Sequence, residues 1–398
     1  MMRPRFVGLI VVCIGAASHG TASAQVDMPP DTLVIQPTVR ATYDDNMLKL
    51  SRLRAPDERD DLRITPSIDF TLRRLLGGRH QVTLTGLAGY DLHRNFKFLN
   101  RERIEATAEV DFVVAGSCRA RPAAAVNWAQ ANLSDQGFVV GNTLRQTDLE
   151  LTLSCRRAAG LYPTVTGRIS RATNTAESRE IFNLHNEYVR AGIGYRVPSI
   201  GDLVASVEYE RFDRPKLRSR LGIDDRTGTW RYGLLFTRNV APRISFRAAA
   251  NHFRVKPRAP AIADFSGFGF EGGVDVRPSP ALAIAFRAGR AASSQGNTGA
   301  TYIILTNWQV SASYKPGART EFQLGGSLRH RNFKDELFID TPFPRDFDRT
   351  ATVRLGVTRA LNQKIRAGLA ASYERRSANI DYYEYKSASV TAQIGVRL

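Results

Sequence analysis

From residue 33 to the C-terminus the chain consists of segments of about ten residues in which apolar and polar side chains alternate with a period of two, separated by turn-forming residues. In the last segment Ala388, Val390, Ala392, Ile394, Val396 and Leu398 fall on one face, and Ser387, Ser389, Thr391, Gln393, Gly395 and Arg397 on the other. Leu62, Ile64, Ile68, Phe70 and Leu72 separate in the same way from Arg63, Thr65, Ser67, Asp69, Thr71 and Arg73. Successive side chains of a strand point to opposite faces, so each segment divides an apolar from a polar environment.

A soluble antiparallel sandwich also alternates, and connection lengths decide between the two. Short turns such as 76–78, 198–201, 239–242, 278–280 and 362–364 take turns with longer polar connections at 44–61, 132–145, 174–186, 213–226, 255–264 and 333–346. Short turns on one side and long loops on the other are the pattern of a bacterial barrel. The predicted fold is therefore all-β, a transmembrane antiparallel up-and-down barrel of about 18 strands, with 16 as the alternative. Short turns would be periplasmic, longer loops external, and both termini periplasmic. In that topology Tyr43, Tyr90, Tyr188, Tyr209, Trp230, Tyr232 and Tyr373 form an external aromatic girdle. Phe70, Phe112, Tyr195, Phe236, Phe246, Tyr314 and Phe322 form a periplasmic one.

The N-terminus fits this compartment. Met1–Arg5 is basic, Phe6–Ala17 is apolar, and Ala22-Ser23-Ala24 precedes Gln25, the pattern of a cleaved signal peptide. The apolar run is too short for a helix that needs about 20 residues to cross a bilayer, and no later run approaches that length. The expected organisation is a signal peptide over 1–24, a short periplasmic segment over 25–32 and one barrel over 33–398. Loss of the signal removes Cys13 and leaves Cys118 and Cys155, either a disulfide in an oxidising compartment or two free thiols. It also removes Arg3 and Arg5 but no acid, so the formal charge falls from +18 to +16.

That charge favours anionic partners, and the alternation says where it faces. Arg40, Arg63, Arg73, Arg168, Arg190, Arg231, Arg247, Arg287, Arg319, Arg329, Arg354 and Arg366 share the polar, inward parity, with Arg196 and Arg331. Asp69, Glu105, Glu109, Asp111, Glu150, Glu208, Glu210, Glu271, Asp275, Glu321 and Glu374 share it too, so one reading is cross-strand pairing that braces the wall. The other is an anion-attracting lumen, since basic rings in a pore draw anions and guanidinium forks grip carboxylates. Arg52, Arg54, Arg214, Arg218 and Arg220 lie in long connections and could face lipopolysaccharide phosphates.

Pro37-Thr38-Val39-Arg40-Ala41-Thr42-Tyr43-Asp44-Asp45-Asn46, with Met47-Leu48, resembles the opening strand of the EpsL-type exopolysaccharide-locus outer-membrane barrels, the beta-barrel porin 2 group. The likeness is local to Tyr43, Asp44, Asp45 and Asn46 and otherwise consists of barrel periodicity. It implies a pore that exports an exopolysaccharide, an acidic one given the arginines. The implied partners are the polysaccharide chain, periplasmic and inner-membrane export machinery, the barrel assembly machinery, and outer-membrane lipid with lipopolysaccharide. A general small-solute porin and a non-conducting structural barrel are the alternatives.

Other chemistry is poorly represented. The acidic doublets Asp44-Asp45, Asp60-Asp61 and Asp224-Asp225 lack the spacing of a calcium loop and read as solvated loop. The histidines at 80, 93, 185, 252 and 330 lack metal-ligand spacing. No nucleophile elbow or zinc-hydrolase helix occurs, so neither an enzyme nor a cofactor is expected. The arginines follow strand parity and form no basic stripe for nucleic acid.

Overall fold

The computed structural model describes residues 31–54, 59–135, 139–259, 262–293, 298–336, 343 and 345–398. The expected signal peptide over 1–24, and residues 25–30 after it, lie outside them.

Eighteen strands follow one another: β1 Thr32–Asp44, β2 Asp61–Leu76, β3 His80–His93, β4 Arg101–Ala115, β5 Cys118–Gln130, β6 Thr143–Ser154, β7 Gly160–Asn174, β8 Leu184–Val197 and β9 Gly201–Asp213. The second half is β10 Thr227–Ala241, β11 Ile244–Pro257, β12 Phe265–Ser279, β13 Leu282–Ser293, β14 Ala300–Tyr314, β15 Thr320–Glu336, β16 Phe347–Ala360, β17 Ile365–Ala378 and β18 Tyr385–Val396. Each strand pairs antiparallel with the next, and β1 pairs with β18 from Thr38↔Gly395 to Asp44↔Ser389, so the sheet closes on itself. The count is 18, not 16. At the β2–β3 turn Gly77 and Gly78 both have positive φ, which a tight hairpin turn of this hand requires.

Burial is inverted relative to a soluble protein. Large apolar side chains such as Leu161 and Ile193, each 63% exposed, stand on the outer face, while acids such as Asp348 are fully buried within. Hydrocarbon around the barrel accounts for this, since it welcomes the apolar face and requires every backbone group to be satisfied by the sheet. The chain is an outer-membrane β-barrel.

Both aromatic girdles hold on the outward parity except at one residue. On β8 the even positions face the lumen, because Val189 and Ile193 face out. Tyr188 is therefore a lumen residue, lying under the Arg168 guanidinium at 5.0 Å. Cys118 and Cys155 form a disulfide at the periplasmic end of the β5–β6 ladder, one step beyond the Arg119↔Ser154 pair.

The Tyr43–Asn46 segment secures the closing seam. Tyr43 faces out, whereas Asp44 Oδ1 accepts from Ser387 Oγ at 2.7 Å and Asp45 Oδ1 from the Ala388 amide at 2.7 Å. Asn46 is almost fully buried and donates through Nδ2 to the Lys386 carbonyl at 3.0 Å and the Leu50 carbonyl at 2.9 Å. These contacts tie the first loop to the last strand. Asn46→Ala leaves buried backbone carbonyls unsatisfied, at a cost of about 1–3 kcal/mol. The variant barrel should lose its heat-resistant gel mobility at a lower temperature than wild type, and an unchanged transition would remove this role from Asn46.

Candidate functional site

The lumen is not an empty tube. The connection between β5 and β6, described over residues 131–135 and 139–142, reaches the opposite wall: Asp135, at the end of a short 3-10 turn, meets Arg331 of β15 and Arg376 of β17. Between β5 and β17, by the shorter way round the sheet, stand β4, β3, β2, β1 and β18, so the segment spans the channel as a chord.

Its anchor is a buried ionic cluster. Arg331 grips Asp135 in a two-pronged fork at 2.8 and 2.9 Å, and its Nε donates to Asp348 of β16 at 2.8 Å. Arg345 reaches Asp135 at 3.2 Å, with its guanidinium plane against Phe333 and Tyr383 at 4.4 and 4.2 Å. Arg376 donates to the Ser134 carbonyl at 3.0 Å and pairs with Asp348. Burial alone would raise the Asp135 carboxyl, but Arg331, Arg376 and Arg345 outweigh it and hold the group well below the ordinary aspartate range. A second contact at the same end is apolar, where Val139 packs on Leu48, Leu50 and Leu99 from the first two external loops.

A second segment also turns inward. The β12–β13 ladder runs from Ser279↔Leu282 only to Phe270↔Arg290, whereas β11–β12 continues to Val255↔Phe265 and β13–β14 to Ser293↔Ile303. Above that point the β13–β14 hairpin leaves the wall. Ala292, Tyr302 and Ile304, lipid-facing by parity, pack instead on the inward side chains Phe212, Phe253 and Val255. Arg231 donates to the Ala292 carbonyl at 2.9 Å, and buried Arg214 donates to the carbonyls of Thr298 and Ala300 at 2.7 and 3.2 Å. Arg214 therefore anchors the hairpin and does not meet lipopolysaccharide. Arg220 pairs with Glu180 at 2.6 Å and Arg54 lies over Tyr382 at 4.8 Å.

The twelve inward arginines divide by partner. Arg40 pairs with Asp69 at 2.9 Å, Arg63 with Asp91 at 3.9 Å, Arg190 with Glu208 at 3.4 Å, Arg231 with Glu210 at 2.5 Å, Arg247 with Glu271 at 2.6 Å and Arg287 with Asp275 at 2.6 Å. Arg168 has the Tyr188 ring as its contact, and Arg354 stands on the inward face of β16. Arg73, Arg319, Arg329 and Arg366 have no acidic partner within 4 Å among the described residues, and the Nε atoms of Arg73 and Arg329 have no protein acceptor.

The two signs, interleaved along the sequence, are partly sorted around the barrel. Arg329, Arg354, Arg366, Arg40 and Arg73 belong to the continuous arc β15–β16–β17–β18–β1–β2, and Arg319, expected on the wall, lies exposed in the turn just before β15. Further round the sheet, beyond β3, Glu105 and Glu109 of β4 and Asp148 and Glu150 of β6 stand on the wall, with Glu109 and Glu150 on either side of Ala123 of β5. Such an arrangement sets a field across the channel as well as along it.

Each acidic doublet proves structural, since one member is buried and bonded to protein. Asp44 belongs to the seam, Asp61 accepts from the Leu62 and Asn95 amides and contacts His93 Nδ1 at 2.8 Å, and Asp225 pairs with Arg214. Among the described residues no group of three or more His, Cys, Asp or Glu side chains is placed to hold a metal ion.

No family model and no curated protein matches the chain. Among solved structures it is similar to OccK11 (OpdR) of Pseudomonas aeruginosa, at 12% identity and TM-score 0.44, over 92% of this chain and 96% of that one. It is also similar to P. aeruginosa OccK2 (OpdF), crystallised with glucuronate, at 11% identity and TM-score 0.46 over 92% and 98%. Acinetobacter baumannii OccAB3 is similar at 9% identity and TM-score 0.46 over 92% and 99%.

Removing one partner of a buried charge cluster typically costs about 3–5 kcal/mol, because it strands the others. Asp135→Asn should therefore release segment 131–142 while leaving the barrel folded. In planar bilayers it should give a larger and noisier conductance than wild type, and an identical trace would contradict the anchor. The pH dependence has a definite sign. A carboxylate depressed in the folded state contributes above its unfolded pKa and is lost as pH falls through the lower, folded value. Wild-type conductance should hold steady from neutral pH and change only below the ordinary aspartate value of 3.8.

Proposed function

We propose that this barrel is a passive outer-membrane channel for small anionic solutes. The observation that carries the reading is the set of lumen arginines without acidic partners, Arg73, Arg329 and Arg366, on the same arc of wall as Arg40 and Arg354, with Arg319 in the periplasmic turn at the edge of that arc. Guanidinium groups free of an internal carboxylate are available to one on a passing solute, to which they offer two parallel donors.

The crossing segment favours small solutes over a polymer. Residues 131–135 cross from β5 to Arg331 and Arg376 and the β13–β14 hairpin occupies part of the channel, so a polysaccharide would have to displace a buried five-residue ion cluster to pass. Export of an exopolysaccharide, which the likeness at Tyr43–Asn46 suggests, loses support for a second reason: those residues have a sufficient role in closing the barrel.

Reconstitution in planar bilayers under a KCl gradient tests the reading. Wild type should show a reversal potential of the anion-selective sign, and a monomeric uronate should reduce the current more than an uncharged hexose does. Replacing Arg73, Arg319 and Arg366 together by Gln should lower the chloride-to-potassium permeability ratio several-fold. A cation-selective wild type, or a triple variant with unchanged selectivity, would contradict the proposal. Passage of long acidic oligosaccharide by wild type would restore the export reading in its place.

A further inference from the structure

The outer face of β7–β12 is neither smooth nor uniformly apolar. At the depth of the lipid belt it has a groove of about 800 Å³, lined almost wholly by apolar surface, with Ala191, Ala205 and Ala250 as its floor and Ile193, Leu234 and Phe268 among its walls. Small side chains on three strands leave a channel where their neighbours are large. Directly above, Tyr209 and Trp230 lie 4.8 Å apart, and Trp230 stacks on Tyr232 at 6.4 Å.

Above the aromatics, at the external ends of the strands, Arg171, Arg211 and Lys256 are exposed on the same outward parity. Arg211 and Lys256 share one row of the sheet, both flanking Gly228. Three carboxylates are near. Asp264 is held by Arg254 at 2.9 Å, Asp213 by Arg218 at 3.7 Å, and Glu187, opposite Arg211, lies 3.8 Å from His185. Arg171, Arg211 and Lys256 have no ion pair among the described residues.

The vertical spacing matters. Arg211 to Ala205 is six residues, about 20 Å along a strand at about 3.3 Å each. With a tilt of about 40° that is about 15 Å of depth, roughly the outer half of a band about 25 Å tall. A cation row, an aromatic row and an apolar groove thus succeed one another over the thickness of a single leaflet.

We propose that this face is a binding site for lipid A of the outer leaflet, with phosphate on Arg211 and Lys256, Arg171 adjacent, and an acyl chain in the alanine-floored groove. A second copy of the barrel fits less well, because self-association would bring two sets of unpaired cations together. The site depends on the outer-membrane location and not on the solute preference of the lumen, so the two readings can fail separately.

Native mass spectrometry of the whole barrel in detergent, titrated with diphosphoryl hexa-acyl lipid A or with its dephosphorylated form, tests it. Wild type should retain the diphosphoryl form preferentially. Arg211→Gln combined with Lys256→Gln should weaken that binding about tenfold, the loss of two charge-assisted contacts, and abolish the preference. Ala205→Phe should weaken both forms by filling the groove, with conductance unchanged as proof of folding. Equal binding of both lipids by wild type, or lipid binding indifferent to both variants, would overturn the site. So would a multimer that Ala205→Phe dissociates without altering lipid binding, since the face would then be an interface between copies.

Discussion

Within hydrocarbon a backbone N–H or C=O has no partner other than the protein itself, and that constraint governs this molecule. It forces every strand to have two neighbours at membrane depth and therefore forces β1 to find β18. The side chains that secure this seam, Asp44, Asp45, Asn46 and Ser387, lie at its external end, where the ladder meets water. A place where the ladder is cut short, between β12 and β13 above Phe270↔Arg290, also lies toward the external side, and there the departing hairpin is received by apolar side chains inside the barrel.

Closure creates a second problem, because a barrel of this strand number encloses more space than its own side chains fill. The chain meets it from the loops. Residues 131–142 and the β13–β14 hairpin supply interior surface, each fixed by arginines: Arg331, Arg345 and Arg376 for the first, Arg214 and Arg231 for the second. Buried ion clusters contribute little net stability but are severe about geometry, since a displaced member leaves charge unpaired. That property suits an element that must hold one position in a water-filled channel. The lumen arginines thus have two uses. Those facing acids or carbonyls build the interior, and on the proposed function those without acidic partners meet solutes.

Period-two alternation made the wall legible, because lipid on one side and water on the other impose it strand by strand. The count of 18, the aromatic girdles and the inward parity of Arg40, Arg63 and Arg354 follow from it. It fails where the environment stops alternating. Ala292, Tyr302 and Ile304 keep lipid-facing parity although their strands have folded inside, so no local pattern marks them. Asp135 reads as one more polar loop residue, since its partners lie 196 to 241 positions away in sequence. The doublets at 44–45, 60–61 and 224–225 look solvated because alternation says nothing of their donors: Ser387 of β18 for Asp44, the Asn95 amide of the next external loop for Asp61, and Arg214, eleven positions back in the same connection, for Asp225. Strict parity with Val189 and Ile193 turns Tyr188 inward, and its position at the strand end does not decide its face.

The central claim is that segment 131–142 is held across the lumen as firmly as the wall is held together. Hydrogen–deuterium exchange of the folded barrel in lipid nanodiscs, resolved by mass spectrometry, measures this directly. The account predicts that amides of this segment exchange on the slow timescale of the flanking strands β5 and β6, far slower than the exposed turn at 316–319. Exchange as fast as that of an exposed loop would contradict it.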